Sequence, residues 1–306
     1  MDFVLLIIGL AMLIAGAESV VRGSVSLGKK LKISLFAIGV VMVSLGTSLP
    51  ELANCVRAVI SDHPAIAVGD VIGSNIANII LIMGATTLLC PIINITQNQI
   101  NQSAINVVIA LGLIIMSLFM VQFNPVFGVV VLILLTLIMA YQIKVGSLNF
   151  LEVEEQGEYS MFVSIILIVI GIMFLVYGSK FFVEGAVNVA TTYNIPESVI
   201  GVSLVAFGTS LPELAVGVLS AIRKKVDFAL GNVLGSNIYN VLGVLGVTSF
   251  FGRFEFPSLI ASFDLYVMTG VIIFITIYMI AMKKLGRLYG FLSLLIYTFY
   301  IGYLYI

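Results

Sequence analysis

Charged residues are scarce in this chain of 306 amino acids. Lys, Arg, Asp and Glu together make up only 9% of the sequence, whereas hydrophobic residues make up 61%, and the mean hydropathy is +1.21. This composition excludes a soluble globular domain. Apolar segments of about 20 residues recur along the whole length, and each is long enough to cross a bilayer as a helix. The sequence therefore predicts an integral membrane protein that is helical nearly throughout.

Residues that bind soft metals are also scarce. The two cysteines, Cys55 and Cys90, form no paired motif, and the single histidine, His63, lies alone in the short polar stretch SDHPA. Zinc and copper sites are built largely from Cys and His side chains. We therefore expect no zinc or copper site and no cofactor. We interpret the cysteines as ordinary small membrane residues and the histidine as a loop residue.

The apolar segments predict an all-α integral membrane fold with ten transmembrane helices. Basic residues cluster in alternate loops, near residues 22–32, 144, 223–225 and 283–287. The positive-inside rule puts these loops in the cytoplasm and both termini outside the plasma (inner) membrane. The predicted helices span residues 3–21, 33–59, 66–88, 103–121, 126–143, 161–183, 193–221, 228–250, 264–282 and 288–306.

An internal repeat has a constant offset of 162 residues, the distance from Gly46 to Gly208. The stretch GTSLPELA at 46–53 recurs unchanged at 208–215, and GDVIGSNIAN at 69–78 recurs as GNVLGSNIYN at 231–240. Each half has five predicted helices, and an odd number reverses the sidedness of the second copy. We predict two inverted-topology five-helix repeats, residues 1–143 and 161–306, joined by a cytoplasmic linker at 144–160. Such repeats are typical of secondary transporters.

Two acidic residues, Glu51 and Glu213, lie deep in hydrophobic segments. An acidic side chain costs roughly 2.5–3.5 kcal/mol there, even on the most lenient scale. No Lys or Arg lies within the apolar part of a predicted span, so an internal salt bridge is not expected. The alternatives are protonation and a bound cation.

The prolines before each glutamate favour the cation. Pro50 and Pro212 have no N–H, so the carbonyls of Gly46 and Gly208, four residues back, lose their helical donors. Carbonyls next to each break, including those of Thr47 and Thr209, can turn toward a cavity, and unsatisfied carbonyls are tolerated at membrane depth only where they line a cavity or meet an ion. Carboxylate, carbonyl and hydroxyl oxygens together form the ligand set that Ca²⁺ accepts.

Polar side chains on the third and eighth predicted helices follow i, i+4, i+8 spacing, so each set shares one helix face. The sets are Asp70, Ser74 and Asn78, and Asn232, Ser236 and Asn240. Such residues either hydrogen-bond neighbouring helices or line a site. Because each set accompanies a buried glutamate, we favour the ion site.

These motifs resemble the paired α-repeats of the sodium/calcium exchanger family within the calcium/cation antiporter superfamily. The resemblance rests on GTSLPE in both halves and on GSNIAN and GSNIYN, and it extends over the full length in helix count and motif placement. It implies an antiporter without enzyme activity that exchanges Na⁺ for Ca²⁺ electrogenically by alternating access. We expect it to work as a monomer in the lipid bilayer, without a nucleic-acid partner.

The resemblance also implies roles for individual residues. Glu51 and Glu213 would hold Ca²⁺ with the carbonyls of Thr47 and Thr209, and Asn78 and Asn240 would line a middle position. The same glutamates would be shared with flanking Na⁺ sites. Those sites would be completed by Ser74, Ala206 and Thr209 on the outer side and by Ser44, Thr47 and Ser236 on the inner side.

Two positions depart from symmetry or from relatives. Some relatives, including potassium-dependent exchangers, have Asp where this chain has Asn240, so we expect no K⁺ requirement. Asp70 pairs with Asn232 in the repeat and adds one negative charge about two turns outward of Asn78. We interpret Asp70 as an attractor for cations near the outer mouth; the alternative is a residue that simply begins a helix.

The glycines at 9, 16 and 23 have counterparts at 171, 178 and 185. They predict smooth faces on the first and sixth helices, which either pack statically or slide across the ion-binding core. Three other functions remain open. A Ca²⁺/H⁺ exchanger would protonate the glutamates on its return leg. A cation channel would have a continuous pore, and an intramembrane hydrolase would need an activated nucleophile.

Overall fold

The structure is a computed structural model that describes residues 2–148, 150, 159–192, 206–256 and 263–304. Within these ranges the regular structure is helical, apart from two isolated bridges, Ile92 to Leu285 and Phe123 to Phe254. The helices are α1 (Asp2–Leu31), α2 (Leu35–Thr47), α3 (Leu49–Ile60), α4 (Pro64–Leu89), α5 (Gln97–Leu118), α6 (Pro125–Leu148), α7 (Met161–Thr192), α8 (Ala206–Thr209), α9 (Leu211–Ile222), α10 (Val226–Thr248), α11 (Asp264–Met282) and α12 (Arg287–Leu304).

Most of these helices are long enough to cross a membrane. Among the described residues, seven are sufficiently long and apolar, and an eighth span results when α2 and α3, which meet at a bend of 42°, are taken together. The predicted all-helical membrane fold is therefore confirmed, while the number ten stays a prediction. Part of the predicted helix 193–221 lies outside the described residues, which resume at Ala206.

Several predicted helix ends are wrong. Helix α1 continues to Leu31, so residues 22–31 are helical and not a loop. Long basic side chains extend to water while their backbone stays helical, and Lys29 and Lys30 in the last turn stabilise the helix C-terminus. Helices α6 and α7 likewise run to Leu148 and Thr192, beyond the predicted ends at 143 and 183, so the predicted linker begins later.

Helix α5 begins earlier than predicted, at Gln97 instead of residue 103. The Thr96 side chain accepts a hydrogen bond from the Gln99 backbone N–H, while the Gln99 side chain accepts one from the Thr96 N–H. This reciprocal capping box satisfies two donors at the helix start. A polar first turn can therefore be helical although its hydropathy is low.

Helices α4 and α10 form the centre of the molecule. An apolar 18-residue window of α10 lies wholly inside the protein, as does 72% of the corresponding window of α4, against 28% in α6 and α7. These are the helices whose sequences contain the two GSN motifs. The polar residues of these motifs are thus placed in the protein interior and away from lipid.

Helices α1 and α7 are in close backbone contact along their glycines. A Cβ atom added to Gly16 would lie 2.7 Å from the carbonyl oxygen of Gly171, and one added to Gly9 would lie 2.4 Å from the backbone nitrogen of Phe182. A Cβ atom added to Gly23 would lie 2.7 Å from the carbonyl oxygen of Ser164. The predicted smooth faces therefore meet each other. Any larger residue at these positions would push the two backbones apart.

Candidate cation-binding site

The two glutamates lie just after equivalent breaks in the helices. Ser48 separates α2 from α3 with φ −83° and ψ 8°, and Ser210 separates α8 from α9 with φ −84° and ψ 2°. Glu51 and Glu213 stand in the first turn of the helix that follows each break. The positive end of a helix dipole stabilises a carboxylate at this position, and proline is well tolerated there because its missing N–H has no helical partner to lose.

Both carboxylates are completely buried. In the described structure neither oxygen of Glu51 has a hydrogen-bond partner, and the same holds for Oε2 of Glu213. Oε1 of Glu213 accepts a hydrogen bond from the Ser48 hydroxyl at 3.3 Å. Buried charge without compensation is strongly unfavourable, so these oxygens need a proton or a cation.

Neutral oxygens surround Glu213. The Thr47 hydroxyl lies 3.3 Å from Oδ1 of Asn232 and 3.4 Å from the Ser236 hydroxyl. It also lies 3.4 Å from the carbonyl oxygen of Ser44. All these side chains are buried. The structure therefore brings together three predicted residues, Thr47, Ser236 and Glu213. Ser48 and Asn232 are in hydrogen-bond contact with them.

An equivalent cluster lies beside Glu51. The Thr209 hydroxyl donates a hydrogen bond to Oδ1 of Asp70 at 3.4 Å, and the Ser210 hydroxyl donates one to Ser74 at 3.4 Å. The Thr209 to Asp70 contact corresponds, under the offset of 162, to the Thr47 to Asn232 contact in the first cluster. Each cluster joins the broken helix of one half to the GSN helix of the other.

The glutamates are close enough for their charges to interact, and Asp70 is within electrostatic reach of Glu51. Asp70 is half-buried, and its Oδ2 also accepts hydrogen bonds from Asn54 at 3.2 Å and from the Cys55 thiol at 3.5 Å. Because α4 begins at Pro64, the alternative that Asp70 simply begins a helix is wrong.

The predicted middle position contains buried amides. Asn78 donates a hydrogen bond to Oδ1 of Asn237 at 2.9 Å. Neither polar atom of the Asn240 amide has a hydrogen-bond partner in the described structure. Asn78 begins a π-helical turn in α4, and Asn240 lies in one in α10. Such turns open the regular helical ladder and are frequent at functional sites.

Ser44 and Ala206 are the remaining predicted site residues. Ser44 is buried; its hydroxyl donates to the Val40 carbonyl oxygen, and it packs so closely on Gly235 that an added Cβ would lie 2.6 Å away. Ala206 is the first residue of α8, and its side chain lies outside the described atoms. The predicted site residues other than Ala206 thus all lie in the interior or half-buried beside it.

Sequence reasoning missed Asn54 and Asn237. Asn54 follows Glu51 by three residues, so it shares that helix face, and this spacing could have indicated its contact with Asp70. Asn237 is the third residue of the repeated GSN motif, and the sequence patterns considered above predict no role for it. Its contact with Asn78 joins α4 to α10, which a pattern within one helix does not predict.

The chemistry of the site is that of oxygen ligands. No group of three or more His, Cys, Asp or Glu side chains able to hold a metal occurs among the described residues. Two carboxylates with many neutral oxygens form a flexible ligand set that suits a hard cation. The fold and site therefore define a membrane protein with a buried cluster of oxygen-bearing side chains at two broken helices, a candidate cation-binding centre.

The family model for sodium/calcium exchanger proteins matches residues 1–144 and 163–306 of this chain. The chain therefore belongs to the sodium/calcium exchanger family, and it is a multi-pass membrane antiporter and not an enzyme. The sodium/calcium exchanger MaX1 of Methanosarcina acetivorans is 30% identical over 99% of this chain and 97% of its own. An uncharacterized membrane protein of Methanocaldococcus jannaschii is 34% identical over 95% of this chain and 94% of its own.

A third relative and a solved structure extend the comparison. A putative antiporter, CaxA of Alkalimonas amylolytica, is 31% identical over 99% of this chain and 97% of its own. The sodium-calcium exchanger NCX_Mj, soaked with Na⁺ and Sr²⁺, superimposes with a TM-score of 0.86 at 32% identity. The match covers 98% of this chain and 97% of that one, so the whole fold is shared.

Proposed function

We propose that this protein is an electrogenic secondary antiporter that exchanges Na⁺ for Ca²⁺ across the plasma membrane by alternating access. The observation that carries the proposal is the pair of buried, incompletely partnered glutamates, Glu51 and Glu213, on two equivalent broken helices. The names of MaX1 and NCX_Mj as sodium/calcium exchangers support Na⁺ and Ca²⁺ as the two exchanged ions. The transported ions are substrates here, and no cofactor is required.

We assign the site residues as the family resemblance implies, and the two clusters support that assignment. Glu51 and Glu213 hold Ca²⁺ with the carbonyl oxygens of Thr47 and Thr209. Flanking Na⁺ positions use Ser74, Ala206 and Thr209 on one side, and Ser44, Thr47 and Ser236 on the other. Asn78 and Asn240 line the middle, and Asp70 attracts cations toward the glutamates. The hydroxyl contacts of Thr47 with α10, and of Ser210 with Ser74 in α4, support this arrangement.

Charge explains why the two ions exchange. One Ca²⁺ neutralises both glutamates, whereas Na⁺ ions do so only by filling several positions, so the two loads compete for the same oxygens. An empty site leaves two buried carboxylates without compensation, which raises the barrier to switching sides. The protein therefore switches sides only with ions bound, so the transport of one ion requires the return transport of the other.

Inverted repeats would make the alternation symmetric. Three observations support them: the constant offset of the motifs, the two family-matched stretches 1–144 and 163–306, and the equivalent hydroxyl contacts in the two clusters. In this arrangement both termini lie outside. The glycine-faced helices α1 and α7 slide across the core as one body, and a single chain contains the complete site.

The decisive experiment is ⁴⁵Ca²⁺ uptake into proteoliposomes loaded with Na⁺, compared with identical vesicles loaded with K⁺ or choline. We expect uptake only with an outward Na⁺ gradient, and we expect an imposed membrane potential to change its rate. Uptake driven by a pH gradient without Na⁺ would instead assign the protein to Ca²⁺/H⁺ exchange, because protonated glutamates would then carry the return leg. Flux without any counter-ion would indicate a channel.

A further inference from the structure

Helix α2 contains a π-helical turn, in which hydrogen bonds join residues five apart instead of four. The turn begins at Gly39, whose carbonyl oxygen accepts a hydrogen bond from the Ser44 N–H. The four-residue spacing has returned at Ser48, whose N–H bonds to the carbonyl oxygen of Ser44. Between these two bonds, the three amides of residues 45–47 remain for the four carbonyls of residues 40–43. At least one carbonyl therefore has no amide of its own.

The π-helical turn of α4 has the same surplus. It begins at Asn78, whose carbonyl oxygen accepts a hydrogen bond from the Met83 N–H. The four-residue spacing has returned at Cys90. Between these bonds, the six amides of residues 84–89 remain for the seven carbonyls of residues 79–85. Because buried carbonyls in a membrane protein need a hydrogen-bond donor, each turn requires one from a side chain.

Tyrosine hydroxyls from neighbouring helices reach one carbonyl in each turn. Tyr239 of α10 donates to the Val41 carbonyl oxygen at 2.9 Å, and Tyr289 of α12 donates to the Ile79 carbonyl oxygen at 3.2 Å. Both tyrosines are buried. A buried phenolic hydroxyl itself needs a partner, so the ring and the carbonyl satisfy each other.

A donor from another helix does more than satisfy the carbonyl. The hydroxyls of Ser44 and Thr87 also bond to carbonyls near the two turns, but within their own helix, so they move with it. Tyr239 and Tyr289 instead fix each turn relative to a neighbouring helix. Since Tyr239 directly precedes Asn240 in the π-helical turn of α10, its bond joins the turn of α2 to that of α10.

The register of each turn decides where predicted cation ligands point. Val41 precedes Ser44 by three residues, and Ile79 directly follows Asn78. A π-helical turn can move along a helix, and each residue that it passes then rotates by about 100° around the helix axis. Such a shift would turn Ser44 or Asn78 out of the site. A hydroxyl bonded to one particular carbonyl opposes this shift.

We propose that Tyr239 and Tyr289 are positioning residues, whose hydroxyls hold the π-helical turns of α2 and α4 in the register that presents the cation ligands. Each acts on the ion through the backbone and not as a ligand. Removing a hydroxyl lowers the fraction of molecules with the correct register, and the apparent affinity for the ion falls by that fraction. The inference rests on the proposed function only in taking Ser44 and Asn78 as ligands.

The test is equilibrium binding of ⁴⁵Ca²⁺ to the purified full-length protein and to Tyr239→Phe and Tyr289→Phe, which keep the ring and lose only the hydroxyl. Each variant should raise the dissociation constant about two- to tenfold, the effect of one neutral hydrogen bond, with unchanged Ca²⁺ bound at saturation. The matched control is Tyr300→Phe. It loses a hydrogen bond of 3.0 Å to the Asp264 side chain, away from either turn, and should bind normally.

Hydrogen exchange followed by mass spectrometry locates the effect in the backbone. Tyr239→Phe should accelerate amide exchange within residues 39–48 and leave residues 78–90 unchanged, and Tyr289→Phe should do the reverse. Exchange that is unchanged in both variants would overturn the proposal, because the hydroxyls would then not hold the turns.

The binding curve separates positioning from simple stabilisation. Less Ca²⁺ bound at saturation, with an unchanged dissociation constant, would overturn the proposal, because it would show that the hydroxyls only keep the protein folded. The proposed function is tested separately by uptake. A protein that binds Ca²⁺ but exchanges it only for protons would refute Na⁺ coupling, and the dissociation constants of the variants would still decide the role of the tyrosines.

Discussion

The two halves of this protein have the same GTSLPEL motif but surround it differently. In the first half Thr47 meets a neutral amide, Asn232, whereas in the second half Thr209 meets a carboxylate, Asp70. Glu213 accepts a hydrogen bond from Ser48, whereas neither oxygen of Glu51 has a partner in the described structure. A repeat can therefore place two equivalent carboxylates in the protein interior while their surroundings make the two sides electrostatically unequal.

The largest expected effect on transport comes from the two buried glutamates, which are equivalent in the two halves. Glu51→Gln and Glu213→Gln should each reduce Na⁺-dependent ⁴⁵Ca²⁺ uptake by at least about 100-fold, since removing one partner of a buried charged set costs about 3–5 kcal/mol. The exposed Glu184→Gln is the matched control and should transport normally. A variant of either glutamate that retains near-normal uptake would contradict the shared role.

Close backbone contact should be equally important in both halves. Gly16 and Gly178 are equivalent under the repeat, and both face backbone atoms of the partner helix within 2.9 Å of an added Cβ. Gly16→Ala and Gly178→Ala should slow uptake roughly tenfold, since overpacking costs about 1–3 kcal/mol. Gly112→Ala, with nothing within 4 Å of its added Cβ, should be neutral. A large difference between Gly16→Ala and Gly178→Ala would break the equivalence.

The charge difference between the halves can be removed. Asp70→Asn makes position 70 match Asn232, and we expect an apparent Ca²⁺ affinity lower by about fivefold, the equivalent of about 1 kcal/mol. The maximal rate should change little, because the two glutamates remain. The effect should shrink at high ionic strength. The measurement is the Ca²⁺ dependence of uptake in low and high choline chloride. A loss of maximal rate with unchanged affinity would assign Asp70 to the transport step instead.

A further difference between the halves lies at the serines of the two breaks. Ser48 donates to Glu213, whereas Ser210 donates to the neutral Ser74. A hydrogen bond to a charged group is worth about 1.5–3 kcal/mol and one between neutral groups about 0.5–1.5 kcal/mol. Ser48→Ala should therefore lower the apparent Ca²⁺ affinity more than Ser210→Ala does. Equal affinities for the two variants in the same uptake assay would argue that both serines contact the bound ion directly.

Sequence reasoning predicted the helical membrane fold and the buried position of the glutamates, because these follow from hydropathy and from local backbone chemistry. It placed several helix ends wrongly. The apolar period stops at residue 21, for example, while α1 continues to Leu31, since basic side chains can leave the bilayer without ending the helix. Hydropathy also overlooked the polar start of α5, which the Thr96 capping box stabilises.

The sequence by itself determined which candidate oxygen ligands the protein contains, because proline breaks and i, i+4 spacing act within one helix. Tertiary structure alone decided which of these side chains meet. The partners of Thr47 and Thr209 lie on helices of the opposite half, and so does the partner of Asn78. Contacts between residues more than 130 positions apart depend on how α4 and α10 pack at the centre. No local pattern encodes that packing.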